Sequence, residues 1–134
     1  MKHEFEQKVF YSDTDAYGVV WHGSYLRWLE MGRCLWCESE GINLIDLADN
    51  HDIVLPVVGL NIRYKSSARL GDNMIIETCV EKYNALSVTF KQVIRSKDKV
   101  FLEAEVEVVA VSSSSGKLFR KIPPVLLEVF EKCA

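Results

Sequence analysis

The sequence has no excess of positive charge, no long apolar run and no apolar segment at its start. Its 134 residues carry 16 lysines and arginines against 19 aspartates and glutamates, a net charge of −3. A generic nucleic-acid-binding domain would show a basic excess, so that class is excluded, although a local basic patch for a phosphorylated ligand is not. No run of about 18 apolar residues exists, so we expect no membrane-spanning helix. Without a secretory signal, we expect a cytoplasmic protein.

Cysteine is also sparse, and the familiar catalytic motifs are missing. Four cysteines are too few for a disulfide scaffold in a chain of this length. Cys34 and Cys37 have the spacing C-x-x-C but fall inside a helical pattern, so we expect reduced thiols. The chain holds no G-x-G-x-x-G, Walker loop, G-x-S-x-G or H-E-x-x-H. Because His3 and His51 lack partners at ligand spacing, we expect no metal site.

The first half of the chain has the pattern of one strand followed by two helices. Alternation over residues 4–12 predicts a strand, and two aspartates and two glycines make residues 13–23 irregular. Apolar residues then recur at helical spacing over residues 24–40, with Ser24 as the predicted N-cap. A shorter helix is predicted over residues 43–50.

The second half alternates as strands do. Short turns join the runs, which indicates antiparallel neighbours, because parallel crossovers need a dozen residues or more. Pro56 and Gly59 make the first run irregular or place it partly at a sheet edge. One sheet and one mostly apolar helix predict a single α+β domain spanning residues 1–134, whose exposed edges favour a partner subunit. The predicted strands cover 53–66, 73–83, 86–95 and 99–111, with a last segment at 118–122 and a terminal helix over 125–132.

Side chains that carry chemistry are densest in one stretch near the start of the long helix. The stretch covers a strand end, a loop and a helix N-terminus, whose unpaired amide donors can hold an oxyanion that develops on a carbonyl under attack. A nearby carboxylate can attack that carbonyl or activate water, and a histidine can orient the water or move a proton. The residues concerned are Tyr11, Asp13, Asp15, Tyr17, His22 and Tyr25.

Each of these residues also has a structural explanation. An aspartate in a loop before a helix is more often a turn former or a cap, and this holds for Asp13 and Asp15 alike. His22 could lie just before the helix with its ring satisfied, and Tyr11 and Tyr25 could be core aromatics with hydrated hydroxyls. The spacing therefore predicts an active-site loop but does not by itself separate the two aspartates.

Residues 9–30, VFYSDTDAYGVVWHGSYLRWLE, resemble the signature of the 4-hydroxybenzoyl-CoA thioesterase family, which are hotdog-fold acyl-CoA thioesterases. The histidine at the end of the loop is similar to that of the Tol–Pal-associated acyl-CoA thioesterase branch. Residues 61–72 resemble the strand that follows the helical region in this family. The resemblance implies an antiparallel β-sheet wrapped around a long central helix. It also implies homodimers or homotetramers with active sites at the dimer interface, and no cofactor or metal.

The resemblance also implies roles for individual residues. Asp15 matches the catalytic aspartate, His22 a catalytic or water-positioning residue, and Tyr11 a tyrosine that supports the site. The backbone amides near His22 and Gly23 would form the oxyanion hole, with Tyr25 in the same oxyanion and substrate-binding group. The founding aromatic-specific enzymes carry an aromatic residue in place of His22. The histidine therefore favours the broader branch that acts on short-chain or other acyl-CoA esters.

The predicted reaction is hydrolysis of an acyl-CoA to a carboxylic acid and free CoA, with Asp15 as nucleophile or general base. Lys65 and Arg69 are the candidates for contact with the CoA phosphates. Three alternatives stay open at this point. They are a thioesterase acting on acyl carrier protein, a hydrolase of aromatic (hydroxybenzoyl or dihydroxynaphthoyl) acyl-CoA, and a non-catalytic module that binds acyl-CoA without releasing thiol.

Overall fold

A computed structural model describes all 134 residues as seven strands and three helices. In chain order the elements are β1 (Lys2–Lys8), α1 (His22–Ser39), α2 (Leu44–His51), β2 (Ile53–Val54), β3 (Val57–Tyr64), β4 (Asn73–Tyr83), β5 (Ser87–Arg95), β6 (Val100–Val109), β7 (Val111–Ser112) and α3 (Pro124–Cys133). The predicted α+β class is confirmed. None of the helices combines the length and the apolar character that crossing a membrane requires.

Five strands form one antiparallel sheet in the order β1-β4-β5-β6-β3. The short strands β2 and β7 pair separately. The alternation predicted for the long strands is confirmed on β4, where Met74, Ile76, Thr78 and Val80 are buried and Ile75, Glu77 and Cys79 between them are only partly covered. The sheet therefore has one face that packs on α1 and one face that carries charged side chains.

The helix α1 lies very close to the sheet. A methyl group added at Gly32 would stand 2.7 Å from Oγ1 of Thr78 and 2.9 Å from Nε2 of Gln92, which is closer than real contacts allow. Trp28 and Trp36, one turn before and one turn after Gly32 on the helix, are fully buried in the hydrophobic core. This packing fixes the position of the helix N-terminus relative to the sheet.

The helix begins two residues earlier than predicted, and Ser24 is not its N-cap. The first helical residue is His22, and the N-cap position is occupied by Trp21, which has no side-chain acceptor. Ser24 instead lies in the first turn, where its backbone N–H donates to the carbonyl of Trp21 at 2.9 Å and its hydroxyl donates to the carbonyl of Asp13 at 3.1 Å. A contact within the tertiary structure has replaced the local capping bond.

Three other boundaries differ from the predictions. The first strand ends at Lys8, because the backbone then forms a single 3₁₀ turn over Tyr11–Asp13. The run 53–66 is split into β2 and β3 at Pro56, which has no N–H to donate to a ladder. The segment 118–122 pairs with Val111 at one bridge only and does not form a strand.

Candidate functional site

The loop between β1 and α1 is closed by backbone hydrogen bonds like a short hairpin. The N–H of Asp15 donates to the carbonyl of Val19 at 2.9 Å, and the N–H of Trp21 donates to the carbonyl of Asp13 at 3.0 Å. Gly18, at the tip, has φ +76°, a left-handed conformation that favours glycine. The loop therefore holds its side chains in defined positions although most of them are exposed.

Asp13 is the inward aspartate of this loop. Its side chain is 5% exposed and forms an ion pair with Arg27 at 2.6 Å. Its other carboxylate oxygen accepts from the N–H of Phe10 at 2.9 Å. Both oxygens are therefore engaged, and Asp13 ties the 3₁₀ turn to the second turn of α1. It holds the loop in place.

Asp15 is the outward aspartate. It is exposed, and its Oδ1 accepts from the N–H of Tyr17 at 2.8 Å and from the N–H of Val19 at 3.4 Å. These bonds orient the carboxylate within the loop. Oδ2 accepts no hydrogen bond from the chain, so one oxygen is held ready to act as a base or a nucleophile.

The N-terminus of α1 presents free backbone donors beside this loop. The N–H groups of His22 and Gly23 donate to no acceptor in the chain. Such groups carry the partial positive charge of a helix N-terminus. The indole of Trp21 lies over Gly23, where a methyl group would meet ring atoms at 2.1 to 2.6 Å. Only glycine leaves both the ring and the backbone in these positions.

Of the three predicted aromatic side chains around this N-terminus, two are exposed and one is buried. The ring of His22 is exposed and lies 5.1 Å, between centroids, from the ring of Trp21. Tyr11 is 81% exposed on the 3₁₀ turn, and its hydroxyl forms no hydrogen bond. Tyr25 is buried, and its hydroxyl accepts from the N–H of Ala68 at 2.9 Å. Burial raises the pKa of Tyr25, so its hydroxyl stays protonated.

The two predicted CoA contacts lie on the segment that Tyr25 holds. Arg69 forms a backbone bridge with Val19 of the site loop, and the N–H of Val20 donates to the carbonyl of Ala68 at 2.9 Å. Lys65 and Arg69 are both exposed, and neither forms an ion pair. The structure thus brings Arg69 directly beside the loop that carries Asp15.

A cleft of about 600 Å³ adjoins the helix N-terminus on the side of β1. Gly23, Trp21 and Ser12 line it, together with the Asp13–Arg27 ion pair. No three His, Cys, Asp or Glu side chains converge in a way that could hold a metal ion.

A second cavity lies farther along α1, and sequence reasoning missed the charged residues that line it. Arg33 and Glu30 border a cavity of about 350 Å³ with mainly apolar walls. Arg33 donates to Oε1 of Gln92 at 3.0 Å. The available signal was Gln92 itself, a polar residue on the apolar face of its strand.

Residues 9–130 match the model of the thioesterase-like superfamily. The chain belongs to this superfamily. The acyl-CoA thioesterase YbgC of Haemophilus influenzae is 30% identical over 113 residues, which cover 84% of this chain and 83% of that protein. The resemblance stated from residues 9–30 is confirmed, and the protein is a thioester hydrolase.

Solved structures agree with this assignment. The DHNA-CoA thioesterase from Staphylococcus aureus superimposes with a TM-score of 0.89 at 26% identity, covering 98% of this chain and 89% of that chain. The 4-hydroxybenzoyl CoA thioesterase from Pseudomonas sp. strain CBS-3 gives a TM-score of 0.86 at 20% identity, covering 96% and 98%. The predicted hotdog fold is confirmed.

Proposed function

We propose that this protein hydrolyses acyl-CoA thioesters to a free carboxylic acid and CoA. The observation that carries the proposal is the pairing of two features on one loop. Asp15 offers an exposed carboxylate with one unengaged oxygen, and the same loop leads into the unpaired N–H groups of His22 and Gly23. The similarity to acyl-CoA thioesterases, YbgC among them, supports CoA esters as the substrate class.

In this proposal the thioester carbonyl lies against the N-terminus of α1. Its oxygen accepts from the N–H groups of His22 and Gly23, which stabilise the oxyanion as it forms. Asp15 attacks the carbonyl carbon, expels the CoA thiolate and forms a mixed anhydride that water then hydrolyses to the free acid, or it removes a proton from the water that attacks the thioester. His22 orients water or protonates the departing thiolate. A thiol has a pKa of about 8.5, so the leaving group needs only modest assistance.

The surrounding residues bind and position the substrate. Lys65 and Arg69 are cations without carboxylate partners, so they are free to meet the phosphates of CoA. Tyr25 acts through Ala68, because its hydroxyl fixes the segment that carries Arg69. Tyr11 presents an exposed ring and hydroxyl next to the loop, in position to support the substrate.

We further propose that the working enzyme is a homodimer, joined along β3, or a tetramer built from such dimers. The two edges of the sheet differ in character. The edge strand β1 exposes charged side chains at alternate positions, whereas β3 exposes Val57, Val58, Leu60 and Tyr64, each about half accessible. Charged edges resist pairing and apolar edges favour it. A second copy on β3 would cover these side chains and complete the substrate site.

The function is tested by measuring thiol release from a panel of aliphatic and aromatic acyl-CoAs and from acyl carrier protein loaded with the same acyl groups. We expect turnover of CoA esters at rates far above the spontaneous reaction. If only the esters of acyl carrier protein are hydrolysed, the protein is a thioesterase that acts on acyl carrier protein and not on acyl-CoA. Tight acyl-CoA binding without any thiol release would reject catalysis and leave a binding module.

A single-turnover reaction in ¹⁸O-labelled water tests the two roles of Asp15. If Asp15 attacks the carbonyl carbon and water then opens the mixed anhydride at Cγ of Asp15, the first acid released carries an unlabelled oxygen from the carboxylate and the label stays on Asp15. If Asp15 acts as a general base, or if water opens the anhydride at the acyl carbon, the label enters the acid on the first turnover. Rapid-quench mass spectrometry of the protein then separates these two cases, because only the anhydride route acylates Asp15.

The dimer is tested by Leu60→Glu, which places a charge on the apolar edge. We expect sedimentation velocity to show a monomer and the thiol-release rate to fall with dimer content. Glu6→Lys on the edge strand β1 is the matched control and should keep both the assembly and the activity. A Leu60→Glu protein that stays dimeric and active would contradict this interface.

A further inference from the structure

The cavity beside α1 combines apolar walls with one guanidinium that has no ionic partner. Its volume is about 350 Å³, and nine of its twelve lining residues are hydrophobic, so it favours a hydrocarbon chain over water. Arg33 enters this cavity from α1 and is only partly exposed. No carboxylate lies within 4 Å of its guanidinium. A cation that lies in an apolar cavity without a carboxylate partner is an unusual and costly arrangement.

The protein holds this guanidinium in a fixed position. Arg33 donates to Oε1 of Gln92 at 3.0 Å, and Gln92 is itself fully buried. The amide nitrogen of Gln92 donates to the carbonyl of Leu29 and to the hydroxyl of Thr78, both at 2.8 Å. A guanidinium has five N–H donors, so most of those on Arg33 remain available to a ligand.

The cavity lies on the same side of α1 as the proposed oxyanion hole. Gly23, Leu26 and Glu30 follow one another at three- and four-residue spacing, which places them on one helix face, and none of the three is buried. Gln92, to which the guanidinium donates, bonds the carbonyl of Leu29 and lies beside Gly32, so it is six to nine residues beyond Gly23 along the helix. At 1.5 Å per residue, this is about 9 to 14 Å along the helix axis. An acyl chain of medium length can bridge that separation.

We propose that Arg33 selects acyl-CoA substrates whose acyl chain ends in a carboxylate. This inference rests on the proposed acyl-CoA thioesterase activity. The thioester would bind at the N-terminus of α1, the methylene chain would lie along the apolar walls, and the distal carboxylate would accept from the free donors of Arg33. Arginine is well suited to this role because its planar donors match the two oxygens of a carboxylate.

Two further observations support this assignment. Burial lowers the pKa of the Arg33 guanidinium, which means that the cavity penalises its charge without fully compensating it. A bound carboxylate would supply the compensation. Glu30, at the rim, is exposed and more than 4 Å from the guanidinium, and its negative charge offsets the effect of burial on Arg33 only in part.

The inference is tested first on the unaltered enzyme with matched pairs of substrates. Hexanoyl-CoA is compared with adipoyl-CoA, and octanoyl-CoA with suberoyl-CoA, so that each pair differs only in the terminal group. We expect a higher kcat/KM for the member that ends in a carboxylate. Equal values, or a preference for the methyl-ended chains, would overturn the inference and leave the proposed thioesterase function intact. Turnover of aromatic acyl-CoAs alone would overturn the inference and keep the proposed function, whereas no turnover of these four or of any aromatic acyl-CoA would reject the proposed function itself.

Arg33→Met then removes the charge and keeps the apolar stem. We expect kcat/KM for the carboxylate-ended chains to fall about 30-fold, in the range that a hydrogen bond to a charged group supplies. The methyl-ended chains should change by less than about threefold, because their contacts are apolar. Arg120→Met, an exposed arginine outside the cavity, should leave the ratio unchanged.

An equal loss for both members of a pair would assign Arg33 a purely structural role in holding Gln92, and would overturn the inference. Arg33→Lys keeps the charge and loses the planar fork, so it should retain part of the preference. If Arg33→Met does not fold, the wild-type ratio and the lysine variant decide the question.

Discussion

Asp13 and Asp15 lie two residues apart on one loop and have opposite environments. Asp13 is buried, and its two oxygens are engaged by Arg27 and by the N–H of Phe10. Asp15 is exposed, and only Oδ1 is engaged, by backbone donors of its own loop. The inner side of the loop therefore builds the site, while its outer side is free to meet a substrate. The two aspartates differ in that Asp15 keeps one carboxylate oxygen without a hydrogen-bond donor, whereas Asp13 keeps none.

The largest expected effect comes from removing the outward carboxylate. In Asp15→Asn, the side chain still accepts from the N–H of Tyr17, so the loop should keep its shape. The amide can neither attack a carbonyl nor take a proton from water. We expect kcat/KM to fall about 1,000-fold, the range that a positioned acid or base supplies. Thiol-release assays measure this, and a loss below tenfold would remove Asp15 from the chemistry.

The next effect concerns the N-terminus of α1, into which the loop of Asp15 leads. In Gly23→Ala the new methyl group displaces the indole of Trp21 and disturbs the free N–H groups. We expect kcat/KM to fall by up to about 100-fold, because small displacements of catalytic groups have effects of this size. The indole is half exposed and can move into solvent, so thermal stability should change little. A large loss of thermal stability with unaltered turnover would show that Gly23 serves the fold and not the catalytic N–H groups.

Removing the inward aspartate should affect stability instead. Asp13→Ala leaves the N–H of Phe10 without its acceptor and Arg27 without its partner. We expect a loss of about 2 kcal/mol in the free energy of unfolding, the range that hydrogen bonds to a charged group contribute. Urea unfolding measures this value. An unchanged midpoint would show that the contacts of Asp13 do not hold the loop.

Asp52 extends the comparison of Asp13 with Asp15, because its contribution to the stability of the fold should depend on pH. Hydrogen bonds from Ser112, Ser113 and Ser114 hold the pKa of Asp52 well below its ordinary value. A carboxylate with a lowered folded-state pKa stabilises the fold above its unfolded pKa of about 3.9 and loses that effect as pH falls toward the folded value. Asp52→Asn is the matched change, since asparagine tolerates the residue's φ of +56°.

We expect Asp52→Asn to lower Tm at pH 7, and the gap from the unaltered protein to narrow as pH falls below about 4. Turnover should not change. A gap that is constant with pH would show that the serine contacts do not depend on the ionised carboxylate. Both carboxylate oxygens of Asp52 accept hydrogen bonds, like those of Asp13, although Asp52 is partly exposed and Asp13 is buried.

Much of the fold was predictable from the sequence because the long strands β4 and β6 largely alternate between buried and less buried positions. Met74, Ile76 and Val80 on β4 show their burial in their spacing alone. The start of α1 was not predictable, because Ser24 looks like a cap but bonds to the carbonyl of Asp13, a partner that only the folded loop supplies. The break at Pro56 was indicated by the proline, but its effect on the strand was underestimated.

The candidate site was predictable in part. The spacing of residues marked the loop, and the resemblance to a known family selected Asp15 over Asp13. The structure adds that Arg27 engages Asp13 from the second turn of α1, while the catalytic role of Asp15 stays a prediction. The cavity around Arg33 could not be predicted, because its walls come from α1, β2 and the sheet, which are far apart in the chain.

The most direct test of the account compares Asp13→Asn and Asp15→Asn in one experiment that measures turnover per folded molecule. We predict that Asp15→Asn keeps a wild-type unfolding midpoint and loses about 1,000-fold in kcat/KM. Asp13→Asn should unfold at a lower denaturant concentration, and its folded fraction should retain most of the activity. A folded Asp15→Asn enzyme with near-normal turnover, or an equally stable and inactive Asp13→Asn enzyme, would contradict the account.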